Sequence, residues 1–119
     1  MPLSVLVVEH DPLLRETLLF MLDAQGYIAA GVESTARALQ VLQGVRVNVL
    51  LMSLAQCDLE GPQTLRIAKT LQPTLKVIVA SGSGARTSTH PAIDLVVRKP
   101  FSMEEIRDAL VQVLTIKQA

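Results

Sequence analysis

Six residues of this chain place reactive side chains where apolar stretches end. Glu9, His10 and Asp11 follow the first such stretch, Ser53 ends the third, Ser81 the fourth, and Lys99 follows the fifth. Carboxylates facing a lysine and a hydroxyl suit Mg²⁺-assisted phosphoryl chemistry, because the cation binds hard anionic oxygens and the lysine neutralises the transferred group. Ser53, His10 and Asp11 are also the residue types of a hydrolytic triad. A triad needs a base held by a third group and an oxyanion hole. The run Leu51-Met52-Ser53-Leu54-Ala55 is no Gly-x-Ser-x-Gly elbow. A small-ligand binder or hydrolase built on Glu9, His10, Ser53 and Lys99 is therefore carried as the alternative reading.

The elements that must position these groups follow from local pattern. Residues 3–8 are apolar and β-branched without a helical period, as in a buried parallel strand. Asp11 and Pro12 form an N-cap with proline at the first helical position. Leu14, Leu18, Met21 and Leu22 share the inner face of that helix, and Gly26 stops it. Residues 27–30 make a second strand. Ser34 caps a helix with Ala38, Leu39 and Leu42 inward, closed by Gly44. Residues 45–52 form the third strand. Gly61 and Pro62 open a helix with Leu65, Ala68 and Leu71 on one face, ended by Pro73.

Residues 75–80 form the fourth strand and 93–97 the fifth. Between them, residues 81–91 are rich in Ser, Gly and Thr and lack a helical period, so the fourth helix is expected to be short or irregular. Ser102 and Glu105 make a capping box for the last helix, with Phe101 and Ile106 as a hydrophobic staple. Its inner face is Ile106, Leu110, Val113 and Leu114. Alternating strands and helices imply an α/β fold: a doubly wound, flavodoxin-like parallel sheet of five strands in the order 2-1-3-4-5. Ligands in such sheets sit at the carboxyl ends of the strands.

Bulk composition narrows the function classes. A chain of 119 residues suits one domain over 1–119, and half of it is hydrophobic, enough for a full core. Eleven basic and eleven acidic residues cancel, which argues against nucleic acid or anionic lipid as a partner. The single cysteine, Cys57, cannot form an internal disulfide, and no basic region with an apolar stretch and cleavage site opens the chain. No apolar run approaches a membrane span of roughly 18 residues. The expected setting is cytoplasmic, with no membrane contact. Cys57 reads as a neutral loop thiol, and Arg86 and His90 as residues of a solvated loop.

Five segments in order resemble the response-regulator receiver domain of two-component signalling, over essentially the whole chain. Val7-Val8-Glu9-His10-Asp11-Pro12 is similar to the opening segment, where two acids follow the first strand. Val49 to Ser53 resembles the strand bearing the phosphoacceptor aspartate, and Gly61, eight residues on, matches a glycine common after it. Val77 to Gly82 resembles the strand ending in the switch Thr or Ser. Arg98-Lys99-Pro100-Phe101 resembles the lysine–proline turn.

Against that resemblance the chain departs at the site itself. Glu9 and His10 occupy the two acid positions, with Asp11 third in the run. Ser53 stands at the phosphoacceptor position and Val96 at that of the switch aromatic, while Ser81, Lys99 and Pro100 match. Neutral hydroxyl and imidazole are poor Mg²⁺ ligands, leaving Glu9, Asp11 and the Ala55 carbonyl, so the Mg²⁺ site is expected to be lost and no cofactor bound. Glu9 and His10 are expected to pair with Lys99. The resemblance then implies a pseudo-receiver: not an enzyme, but a phosphorylation-independent interaction module. Its surface would be the fourth strand, the fifth strand and the outer side of the last helix, with Leu95 and Val97. Its partner would be another protein, a second copy or an upstream histidine kinase.

Overall fold

The computed structural model describes residues 3–81, 92–98 and 101–115, with the side chains of 53–62 and 81 outside the description. Among these residues nine elements follow in order: β1 (Ser4–Val8), α1 (Pro12–Ala24), β2 (Ile28–Val32), α2 (Thr35–Gly44), β3 (Val49–Ser53), α3 (Leu54–Leu71), β4 (Lys76–Ser81), β5 (Leu95–Arg98) and α4 (Met103–Thr115). The sheet is parallel throughout, in the order β2-β1-β3-β4-β5. This is the expected flavodoxin-like fold. Four helices lie among the described residues; residues 82–91, where the short or irregular helix was expected, lie outside them.

Two apolar layers sandwich the sheet. Leu18 and Leu22 of α1 and Ile106, Ala109, Leu110 and Val113 of α4 pack on one side, against Val5, Val7, Val49, Leu51 and Ile78. Ala38 and Leu42 of α2 and Leu65 and Ala68 of α3 cover the other, against Leu6, Val8, Leu50, Met52, Val77 and Val79. Burial on both faces explains why the central strands are continuous apolar runs. Leu71, expected to face inward, is exposed at the end of α3 instead.

The helix starts behave as local chemistry dictates. Asp11 Oδ1 accepts from Leu13 N at 2.9 Å, with Pro12 at the first helical position. Ser34 Oγ accepts from Arg37 N at 3.2 Å. Ser102 and Glu105 exchange bonds as a capping box, at 3.1 and 3.2 Å. Gly26, at φ +91°, turns the chain out of α1. One start differs from expectation: α3 begins at Leu54, directly after β3, rather than at Gly61. Proline suits a first turn because it lacks an N–H, so Pro62 reads as a start signal. Here the helix runs through it, without the bond its N–H would have made to the preceding turn.

A polar network closes the amino end of the sheet. Asn48 Oδ1 accepts from Ser4 N at 2.9 Å, and Ser4 Oγ accepts from Asn48 N at 3.2 Å. Gln72 spans three backbone groups, accepting from Val47 N at 2.9 Å and donating to Leu42 O and Val45 O at 2.9 and 2.7 Å. These bonds hold residues 45–48, expected as strand, in a connection before β3. Asp94 Oδ2 accepts from Val77 N at 2.8 Å and pairs with Lys69 Nζ at 3.0 Å.

Candidate functional site

Strand register gathers the carboxyl ends of β1, β3 and β4. Val8 lies level with Met52, so the next residues, Glu9 and Ser53, leave adjacent strands together. Ser53 is level with Ala80, and Ser81 lies one step further, beside Arg98 of β5. Lys99 and Pro100 follow Arg98 and lie outside the described residues, as does the expected pairing of Glu9 and His10 with Lys99. The side chains of Ser53, Ala55, Cys57 and Ser81 are not described, and Arg86 and His90 fall within 82–91.

The run after β1 divides its tasks. Glu9 is buried, 7% exposed, and its Oε2 accepts from Asp11 N at 3.1 Å. Its backbone N–H donates to Val32 O at 3.0 Å, and its carbonyl accepts from Arg15 Nη1 at 2.9 Å. His10 is exposed. Asp11 is spent on the cap of α1, its Oδ1 receiving Leu13 N and, at 3.5 Å, Leu14 N. The three residues therefore do different work: one buried acceptor, one solvated imidazole, one helix cap.

Consequences for chemistry follow. Asp11 turned to its own helix is poorly placed to orient His10 as a base. Among the described residues no group of three His, Cys, Asp or Glu side chains is arranged to hold a metal ion. Val96, half-buried on β5 and level with Val79, has no ring to rotate. A surface pocket of about 320 Å³ lies at the opposite end of the sheet, between the ends of α2 and α3, lined by Leu42, Val45, Arg46, Leu71 and Gln72 among others. It is remote from the strand-end cluster. Sequence reasoning missed Arg15, which ties α1 to the Glu9 carbonyl; its place four residues after the Asp11 cap carried no distinctive signal. No helix among the described residues is long and apolar enough to cross a membrane.

Comparison with known proteins gives a consistent outcome. Residues 5–111 match the family described as response regulator receiver domain. The chain is 28% identical over 113 residues to the transcriptional regulatory protein GlrR of Escherichia coli, covering 92% of this chain and 26% of that protein. It is 25% identical over 114 residues to the response regulator receiver protein CpdR of Brucella abortus, covering 92% of this chain and 95% of that one. The chain thus spans about a quarter of the first relative and nearly all of the second. In fold it is similar to a CheY-like receiver domain from Methylobacillus flagellatus, with a TM-score of 0.85 at 20% identity, covering 95% of this chain and 99% of that one.

Proposed function

As the chain belongs to the response regulator receiver domain family of two-component signalling, we propose that it is a receiver which has lost its phosphoacceptor chemistry and acts as a protein-interaction module. One observation carries the reading: the central strand β3 ends in Ser53, level with Glu9, so a neutral hydroxyl stands where the resemblance places a carboxylate. An alcohol is a weak nucleophile without a base to activate it. A phosphoryl group on serine would also lack the lability of an acyl phosphate.

The donor set supports the same reading for the metal. Mg²⁺ requires anionic oxygens in near-octahedral order. Glu9 supplies one carboxylate, already holding Asp11 N, while Asp11 caps α1 and His10 offers imidazole. These residues do not fit a Mg²⁺ site. The chain is then no enzyme, and it signals in the cytoplasm by docking to a protein such as an upstream histidine kinase. Met103 and Val111, exposed on α4 at 42% and 53%, and the half-buried Leu95 and Val97 of β5 supply apolar side chains for the face offered to that partner.

The test is intact mass after incubation with acetyl phosphate and Mg²⁺. The expected result is an unchanged mass. Gain of one phosphoryl group, abolished by Ser53→Ala, would sink the reading.

A further inference from the structure

Among the described residues β2 is an edge strand of the sheet, paired only with β1. Ile28 N donates to Leu3 O, and Val32 O accepts from Glu9 N, so residues 28, 30 and 32 direct their backbone groups toward β1. By the alternation of a strand, the N–H and C=O groups of Ala29 and Gly31 point outward. Exposed edges are ordinarily blunted by lysine, proline or a bulge. The sequence Ile28-Ala29-Ala30-Gly31-Val32 carries no charge and no proline. Ile28 is 59% exposed and Ala30 is exposed as well. Such an edge is chemically matched to one kind of occupant, another extended backbone.

Helix α1 decides which. A Cβ built on Gly31 would meet Arg15 Cγ at 2.8 Å and Leu19 Cδ1 at 3.2 Å, so the turn from Arg15 to Leu19 lies directly over the edge strand. Arg15, Leu19 and Asp23 stand at i, i+4 and i+8, on one stripe of the helix. That stripe is about 12 Å long, and β2 is about 13 Å long. Leu19 is the midpoint of one and Ala30 the midpoint of the other. α1 runs opposite to β2, with Arg15 beside the carboxyl end of the strand and Asp23 beside its amino end. Arg15 and Asp23 form no ion pair among the described residues, and the Arg15 guanidinium, which gives Nη1 to the Glu9 carbonyl, keeps its other donors for a carboxylate.

We propose that β2 pairs antiparallel with β2 of a second copy of this chain, about a two-fold axis at Ala30. Ala29 then faces Gly31 of the partner copy and the pair exchanges both N–H···O bonds, in two symmetry-related places. Ile28 lies level with Val32 of the partner copy, and Ala30 with its own equivalent, where small side chains permit close approach. The same axis brings Arg15 opposite Asp23 of the partner copy, and Leu19 opposite Leu19. A stripe with a cation at one end, an anion at the other and leucine between is complementary to itself under this rotation. An unrelated extended peptide would gain the backbone bonds but would have no reason to match those charges. The proposal is independent of the chemistry at position 53.

Sedimentation equilibrium of the full chain tests it, with thermal unfolding as the check on folding. A small interface of this kind predicts a dimer dissociating at about 10–100 μM. Ala29→Pro removes an outward N–H without touching the bonds to β1, and Ala30→Lys puts like charges face to face; each should weaken the dimer roughly tenfold or more. Asp23→Arg and Arg15→Asp should each weaken self-association. Mixing those two variants should restore association, because every cation then meets an anion. A chain monomeric up to about 500 μM, including one that captures an added extended peptide instead, overturns the proposal. So does a dimer indifferent to Ala30→Lys, or a mixture that associates no better than either variant alone.

Discussion

The two ends of the sheet use polar side chains in opposite ways. At the amino end, Ser4 and Asn48 bond across 44 residues, Gln72 reaches Leu42 across 30, and Lys69 and Asp94 join across 25. At the carboxyl end, most bonds of Glu9 and Asp11 described above are local, namely Asp11 N to Glu9, Leu13 N to Asp11, and Arg15 to the Glu9 carbonyl, while the Glu9 backbone N–H crosses to Val32 of β2. Long-range bonds tie separate elements together, whereas short-range ones shape a single loop and helix start. Among the described residues, the long-range side-chain bonds named here gather at the amino end. On the proposed reading this is what allows the carboxyl end to change its chemistry while the architecture stays intact.

Substitutions at the two ends should rank accordingly. Gln72→Ala removes three backbone partners at once and should cost about 2–3 kcal/mol, measured by denaturant unfolding. A loss below about 0.5 kcal/mol would break the contrast between the ends. Asp94→Ala strips Val77 N of its acceptor and leaves the half-buried Lys69 without its carboxylate, for a loss of roughly 2 kcal/mol. Amide exchange at Val77 should rise with it.

Asp11→Ala, at the carboxyl end, forfeits one helix cap and should cost about 1 kcal/mol, with the loss confined to the first turn of α1. The smallest stability effect is expected where the chemistry changes most. The combined variant Glu9→Asp, His10→Asp and Ser53→Asp should remain folded within about 1 kcal/mol of the natural chain. It should bind Mg²⁺ in titration calorimetry, whereas Ser53→Asp alone should not. Mg²⁺ binding and phosphorylation by Ser53→Asp alone would show that the site differs from a working receiver at one position only.

What could be read in the sequence divides along the same line. Caps at Asp11, Ser34 and Ser102 are chemistry between neighbours, and each was legible. The apolar runs of β1, β3 and β4 and the inward faces of α1, α2 and α4 were legible for the same reason, and the strand order was legible in the alternation of strands and helices. Asn48, Gln72, Lys69 and Asp94 were not singled out, because their partners lie 17 to 44 residues away and no spacing announces them. Pro62 misplaced the start of α3, since its preference for a first turn competes with a helix that begins as soon as β3 ends. Leu71 kept the helical period of Leu65 and Ala68, yet it falls on the last residue of α3, where the covering layer runs out. At the site, the register of β1 and β3 sets Val8 level with Met52, so Glu9 and Ser53 each follow by one step. The separation of duties among Glu9, His10 and Asp11 needed coordinates.

The contact between Arg15 and Gly31 also sets an order of events for the evolution of this chain. Any side chain at position 31 would collide with the Arg15 stem at 2.8 Å, close to the backbone where the arginine has little room to swing aside. Position 31 is thus closed to enlargement while position 15 stays long. A lineage that shortened residue 15 first would leave residue 31 limited by the tip of Leu19 alone, at 3.2 Å, whereas the reverse order passes through a damaged intermediate. Gly31→Ala should accordingly be better tolerated beside Arg15→Ala than alone, and sequences descended from this one should show the two sites changing in that order.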